Sequence, residues 1–432
     1  MNYQEALKYI KSTQKFGSIL GLERITKLME LLGNPQKRLK FVHVAGTNGK
    51  GSTVAFMESV LTQAGYRVGM YTSPGLHGLN DRIRIGSKEI ENHRVAEIMD
   101  KIRGRIDEMI EEGLDSPTEF EIITALAFEY FYQEETDIVL LEVGLGGRLD
   151  STNVIEAPLL SVITPVDYDH MDILGNTLEE IAGEKAGILK SGTELILYPQ
   201  RQEAERVIML TADALGIPVH KVNFSLMKKK GHDDYTQQFQ YENEDYKLTI
   251  LGEHQVKNAV VAMEALNVLD HIGMRIPQDA MKKGLLMAKW PGRFEILSHD
   301  PMVVIDGAHN LQGVQILKTN LERYFRGRKV IFIMGVLKDK SYLEMIKEVL
   351  PLAKSFVTIT VDNERALSGK ELSDLIHDAG CEASYCENVP LAIEKALSIR
   401  TDDEIVCAFG SLYYIQEVRS YFLEAVKIDN NL

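Results

Sequence analysis

Short apolar runs separated by segments of helical period dominate the first half of the chain. Phe41 to Val44 are apolar or aromatic, as in a buried strand, and Val54, Met57, Leu61 and Ala64 then recur at helical spacing. Arg67–Tyr71, Asp137–Val143 and Pro158–Thr164 read as further strands. Residues 3–33 predict two helices joined by a loop over Gly17–Arg24, and His93–Glu112 predicts another helix. Ser116 is expected to N-cap the next, with Pro117 in its first turn and Glu119 completing a capping box, and the helix runs to about Tyr132. Thr177 opens a second capping box and a helix through Ile188, and strand–helix alternation continues to about Val219.

The rhythm then changes. Between Asp234 and Leu251, Phe239, Tyr241, Tyr246, Leu248 and Ile250 fall at period two, which predicts antiparallel strands. Helices follow over 255–272 and 278–288. Trp290-Pro-Gly-Arg-Phe-Glu marks a boundary, with Trp290 read as a packing residue. Beyond it, strands are expected near 302–306, 329–335, 355–361 and 404–409 with helices between. The fold class is α/β: a P-loop-type, mostly parallel sheet domain over 1–292 with a small antiparallel subsheet, plus a second, smaller Rossmann-like α/β domain over 293–432. No internal repeat is evident.

Composition narrows the function classes. An apolar content of 45% with 26% charged residues is that of a soluble globular protein, and no run could span a membrane. The polar, amphipathic N-terminus is unlike a secretion signal. Cys381, Cys386 and Cys407 lack metal-site spacing and are expected to be buried free thiols in a reducing cytoplasm. A net charge of −15 argues against nucleic-acid binding, and Lys228-Lys229-Lys230 reads as a solvated loop. An anionic ligand must therefore be drawn in by a local cluster of N–H groups, cations or metal.

The stretch Gly46-Thr-Asn-Gly-Lys-Gly-Ser-Thr53 supplies such a cluster. Strand, glycine loop and helix is the context of a phosphate site: the glycines free backbone N–H groups, the helix adds its positive end, and Lys50 adds a mobile cation. The loop departs from the general P-loop, because Gly51 separates Lys50 from the hydroxyls of Ser52 and Thr53, so part of the metal duty falls elsewhere. Open α/β sheets place ligands beyond the carboxyl ends of their strands. Those ends are followed here by Gly46–Ser52, by Thr72, Ser73 and Pro74, by Glu142 with Gly144-Leu-Gly-Gly-Arg-Leu-Asp150, and by Asp167, Asp169, His170 and Asp172. Oxygen-rich ligation with one imidazole suits Mg²⁺ or Mn²⁺ better than zinc. Thr72 to Gly86 reads as one long loop.

These stretches, together with Asp81-Arg-Ile-Arg, Gly183-Glu-Lys-Ala-Gly-Ile, Gly252-Glu-His-Gln-Val-Lys-Asn-Ala, Pro291-Gly-Arg-Phe-Glu and Asp306-Gly-Ala-His-Asn, resemble folylpolyglutamate synthase, often bifunctional with dihydrofolate synthase, in the Mur ligase superfamily. The resemblance implies an ATP-dependent amide ligase that adds L-glutamate to a folate, or to dihydropteroate, through an acyl phosphate. It implies that Gly46, Thr47, Asn48, Gly49, Lys50, Gly51 and Ser52 hold ATP with Asn258, Arg293 and Asp306, so that both domains grip it. It makes Ser73, Glu142 and His170 the ligands of two Mg²⁺ ions. Lys50, Lys185 and His309 become the catalytic candidates, with Lys185 at the position this family carbamylates. Ser18, Ile19, Leu20, Thr118, Leu149, Asp150 and Ser151 match substrate-contacting positions. Many members have His-Leu after Ser-Pro, where this chain has Gly75-Leu76, with His77 two residues after Gly75. A cytoplasmic monomer without nucleic-acid or membrane partners is the family expectation.

Two rivals remain at this point. One is a Mur-type ligase acting on a cell-wall precursor, disfavoured because only residues 1–40 precede the first strand. The other is a non-catalytic nucleotide-binding protein, disfavoured because no Asn/Thr-Lys-x-Asp motif appears and the acidic strand ends exceed what binding alone needs.

Overall fold

Every residue of Phe41–Ala45 is buried, and so is every residue of Ile138–Glu142 and Leu160–Ile163, which puts these segments in the interior of a covered parallel sheet. The computed structural model describes residues 1–13, 21–76, 78–232 and 236–429. Its contacts divide the chain into two units: 1–231 with 238–249 and 255–289, and 232–237 with 250–254 and 290–432.

Among the described residues the first unit holds an eight-stranded sheet. Its strands are β1 (Phe41–Ala45), β2 (Val68–Tyr71), β3 (Ile83–Ile85), β4 (Lys88–Glu89), β5 (Ile138–Glu142), β6 (Leu160–Ile163), β7 (Glu194–Leu197) and β8 (Val219–Lys221). The order is β4-β3-β2-β5-β1-β6-β7-β8. From β2 to β8 all neighbours are parallel, while β3 and β4 are an antiparallel edge. The expected loop over Thr72–Gly86 is therefore shorter than predicted, because its last residues pair with β2. One face of the sheet is covered by α1 (Tyr3–Ser12), α2 (Glu23–Leu31), α4 (Asn92–Glu111) and α5 (Glu119–Gln133), whose apolar sides join Phe41, Tyr71 and Leu141 in one core. Further along the same face α7 (Leu178–Ala186) and α8 (Gln202–Leu215) pack on Ile163 and Leu195. Helix α3 (Lys50–Gln63), buried from Ser52 to Leu61 with Glu58 excepted, belongs to neither of these cores and packs on β1, β2 and β5. The short α6 (Met171–Leu174) follows β6.

Two local expectations are corrected. The cap of α5 is Thr118, not Ser116: Thr118 accepts from the N–H of Glu121, and Glu121 accepts in return from the N–H of Thr118 at 2.7 Å. Lys228–Lys230 is not a loop but part of an exposed strand, β9 (Met227–His232), which forms a three-stranded sheet with β10 (Gln237–Tyr241) and β11 (Glu244–Leu248). The capping box at Thr177 is present. Helices α9 (Glu253–His271) and α10 (Gln278–Met287) follow.

The second unit has its own sheet, ordered β12-β13-β17-β14-β15-β16. The strands are β12 (Glu295–His299), β13 (Met302–Ile305), β14 (Val330–Met334), β15 (Ala353–Thr358), β16 (Glu382–Tyr385) and β17 (Ile405–Phe409). All neighbours are parallel except β12, the antiparallel edge. β12 and β16 were not expected; both carry polar, partly exposed residues that hide a strand period. Phe332 stacks on Phe356 at 5.2 Å and meets Phe409 edge-on at 5.3 Å in this unit's core. Of the three thiols only Cys407 is buried, and Cys381 and Cys386 are intermediate; all are free. Among the described residues no helix is long and apolar enough to cross a membrane.

Candidate active site

The strand register brings the first unit's chemistry to one sheet edge. Tyr71 lies opposite Leu141, Val44 opposite Glu142, and Ala45 opposite Ile163. The residues after β2, β5, β1 and β6 thus emerge side by side, which is the arrangement expected from the sequence.

The glycine loop is held between β1 and α3. Gly49 caps α3 at φ 85°, a left-handed conformation that a side chain resists, and a Cβ there would stand 2.7 Å from Asn258 Oδ1. Asn258, on α9, therefore lies against the loop. A Cβ on Gly46, at φ 149°, would overlap the Thr164 hydroxyl. Thr47 ties the loop to the segment after β6: its N–H donates to Pro165 O at 2.8 Å, and its hydroxyl donates to Asp167 O at 3.0 Å. Helix α3 starts at Lys50.

Lys50 does not reach outward. Its Nζ donates to Gly46 O at 3.1 Å and Thr47 O at 3.2 Å, and lies 4.0 Å from Glu142 Oε1. Lys185, 4% exposed, donates to Gly46 O at 3.0 Å from the last turn of α7. Burial first, and the charge of Lys50 second, push its pKa down to about 7.

Ser73 Oγ is buried without a hydrogen-bond partner among the described residues, and Glu142 is 5% exposed. His170, nearly half exposed, sits at φ 49° with Nε2 3.9 Å from Asp169 Oδ1. A buried hydroxyl oxygen lacking a partner, a buried carboxylate and an accessible imidazole at neighbouring strand ends make a donor set that fits a hard divalent cation. Among the described residues no cluster of three or more His, Cys, Asp or Glu could hold a metal, so the candidate set depends on the serine.

The substrate-side positions behave unevenly. Ser18, Ile19, Leu20 and His77 lie outside the described residues. Thr118 is 4% exposed and its hydroxyl donates to Glu121 Oε2 at 2.8 Å. Leu149 is 39% exposed, whereas Asp150 and Ser151 are buried. The Asp150 carboxylate works inside its own loop, accepting from Leu145 N at 2.8 Å and Thr152 N at 2.9 Å. The guanidinium of Arg82, in the Asp81-Arg-Ile-Arg stretch, lies over the rings of Tyr71 and Phe120, at 5.9 and 5.5 Å. Glu121 also accepts from Arg24 at 3.1 Å, a contact that no local pattern announces.

In the second unit Asp306 follows β13. Its carboxylate accepts from Phe294 N at 2.8 Å and Ala308 N at 2.7 Å. Burial raises its pKa, and Arg293 opposes the rise. His309 Nδ1 lies 2.8 Å from Gly307 O. Arg293, Asp306 and the backbone beside His309 are thus neighbours, although the sequence separates Arg293 from the others.

Residues 44–266 match the Mur ligase middle domain, and residues 292–412 match the Mur ligase glutamate ligase domain. The dihydrofolate synthase/folylpolyglutamate synthase of Bacillus subtilis is 38% identical over 425 residues, covering 96% of this chain and 98% of that protein. The chain belongs to the folylpolyglutamate synthase family of Mur ligases. Family members of known structure share its fold throughout. The Mycobacterium tuberculosis folylpolyglutamate synthase, solved with ADP and AMPPCP, superposes with a TM-score of 0.88 at 29% identity, over 98% of this chain and 99% of that one. The Thermotoga maritima folylpolyglutamate synthase gives 0.85 at 34% identity, over 98% and 96%.

Proposed function

We propose that this protein is an ATP-dependent ligase that adds L-glutamate to folates, and that it also accepts dihydropteroate. The observation that carries the reading is the meeting of the glycine loop, Lys50, Glu142, Ser73 and Lys185 at one sheet edge, in a chain whose full-length relatives bear these activities by name. In the reaction a substrate carboxylate oxygen attacks the γ-phosphorus and ADP leaves. The glutamate amine then attacks the acyl carbon, its proton is lost and phosphate departs.

The chain's own groups have distinct tasks in this reading. Loop N–H groups from Gly46 to Ser52 and the start of α3 receive the phosphates. Lys50 leaves Gly46 O and Thr47 O to meet the outer phosphates. Asn258, Arg293 and Asp306 contact the nucleotide, and His309 serves the phosphate side. Ser73, Glu142 and His170 would hold Mg²⁺, which would neutralise phosphate charge. Neutral Lys185 attacks the carbon of CO₂: an N–C bond forms, one C–O electron pair moves to oxygen and the amine proton goes to solvent. The resulting carbamate replaces a buried cation by an anion. Thr118, Leu149 and Ser151 face the pterin-bearing substrate, and Asp150 shapes their loop. The cytoplasm and a monomeric state complete this reading.

ADP release decides it. It should depend on folate plus glutamate, and dihydropteroate should replace folate. Release with a cell-wall precursor alone, or with ATP alone, would overturn the assignment.

A further inference from the structure

The Gly144–Asp150 loop contains a glycine whose presence backbone conformation does not explain. Gly147 has no positive φ, so an L-residue could adopt its backbone. Contact forbids one instead: a Cβ there would stand 2.7 Å from Glu184 O, 3.0 Å from Ile188 Cγ2 and 3.1 Å from Lys185 Cα. The loop therefore lies directly on the last turn of α7, the turn that carries Lys185. The next residue fastens it. Arg148 N donates to Glu184 O at 2.8 Å, and Arg148 Nη2 donates to Gly183 O at 3.1 Å. Asn153 Nδ2 bridges the same parts, donating to Arg148 O at 2.9 Å and Gly187 O at 3.1 Å. Carbonyls at a helix end otherwise lack partners and the turn frays. Here the loop supplies those partners, and Lys185 Nζ spans to Gly46 O.

The geometry points to Gly147 as a positioning residue for Lys185, with Asn153 as its brace. The loop after β5 fixes the Cα from which the Lys185 amine reaches the glycine loop, and so governs whether that amine is carbamylated and aligned. The inference rests on the carbamylation reading given above. Gly147 and Asn153 need touch no substrate. The Arg148 guanidinium matters less, because its side chain is 58% exposed and its pair with Glu184 is screened.

The test compares Gly147→Ala and Asn153→Ala with the wild type and with Gly183→Ala, a change in the same helix where a Cβ meets only Val207 at 3.9 Å. Three readouts are taken: the ¹³C carbamate resonance in ¹³C-bicarbonate, kcat against KM for ATP, and mass-spectrometric acetylation of Lys185. In Gly147→Ala the carbamate signal should collapse and kcat should fall on the order of 100-fold, as for a displacement of about 1 Å. KM for ATP should stay within about twofold, and Lys185 should acetylate at least about threefold faster because the amine has left its acceptor. Asn153→Ala, which inserts no atoms, should move the same readouts the same way by about threefold, and keeps the test open should Gly147→Ala fail to fold. Gly183→Ala should match the wild type. Wild-type signal, kcat and acetylation in the soluble variants would overturn the inference. A wild type without any carbamate signal would instead remove the carbamylation reading, and the acetylation and kcat comparisons would still judge whether Gly147 seats Lys185.

Discussion

Lys50 and Lys185 donate to one acceptor, Gly46 O, at 3.1 and 3.0 Å. Two ammonium groups converging on a single carbonyl repel each other, and the more buried one gives way: the Lys185 pKa is pushed down to about 7, mainly by burial. Near neutral pH much of its amine is unprotonated and can attack CO₂. The carbamate formed would be the counter-charge that Lys50 lacks, apart from Glu142 at 4.0 Å. Lys185→Ala should be inactive yet partly restored by short-chain carboxylic acids, which return an anion to the vacated space. Assaying ADP release against acetate concentration checks this, and a flat response would count against a carbamate.

Lys50→Ala should abolish turnover. Among the described residues Lys50 Nζ is bound to loop carbonyls alone and lies beside Glu142, so it is poised to exchange those partners for phosphate oxygens. Removing it costs the outer phosphates their cation, an electrostatic loss on the order of 100-fold or more in kcat. ADP should bind more nearly as in the wild type than ATP does, which titration calorimetry can measure; unchanged ATP turnover would refute the phosphate-loop assignment.

How far the chain could be read from its letters differs by element. The runs Phe41–Ala45 and Ile138–Glu142 are buried on both faces, so their strands and the residues following them were evident. The edge strands were not. Lys88–Glu89 and Met227–His232 are exposed or nearly so, and they are held by the adjoining strands β3 and β10 rather than announced by an apolar period. At α5 two overlapping capping boxes were possible, from Ser116 with Glu119 and from Thr118 with Glu121. The second forms because Glu121 is also buried against Arg24, 97 residues away. The same limit applies to Asp150, which was expected to face substrate: nothing local shows that its carboxylate is consumed by Leu145 and Thr152.

Ser73→Ala tests the metal reading separately from catalysis. Among the described residues the buried Ser73 Oγ has no partner, so its loss breaks no hydrogen bond there and stability should change by less than about 1 kcal/mol. If the oxygen is a ligand, the Mg²⁺ concentration for half-maximal activity should rise about tenfold or more. A magnesium titration identical to the wild type would remove Ser73 from the ligand set.

Arg293→Ala should slow catalysis while leaving the fold intact. Arg293 is the charge that opposes the burial-driven rise of the Asp306 pKa. The Asp306 carboxylate keeps both backbone donors, Phe294 N and Ala308 N, in its absence. Thermal unfolding should shift by only a few degrees while kcat/KM for ATP falls about tenfold or more. Unchanged kinetics would exclude a nucleotide role for Arg293.

His43 makes the protein's stability sensitive to acid. It lies on β1, fully buried, with Nε2 2.9 Å from Thr152 Oγ1 and Nδ1 without a partner among the described residues. Burial, helped by Lys190, pushes its pKa from 6.5 down to about 3. Because the folded value is the lower one, between pH 6.5 and about 3 the unfolded chain holds a proton that the native chain does not. This contribution is fully present above pH 6.5 and is lost as pH falls, at about 1.4 kcal/mol per pH unit. His43→Gln, which cannot titrate, should lack that component whatever its starting stability. Denaturant unfolding of both proteins at pH 7, 6 and 5 gives the two slopes. The wild type should lose stability faster with falling pH by about this amount, and parallel slopes would mean that His43 takes up its proton in the native state.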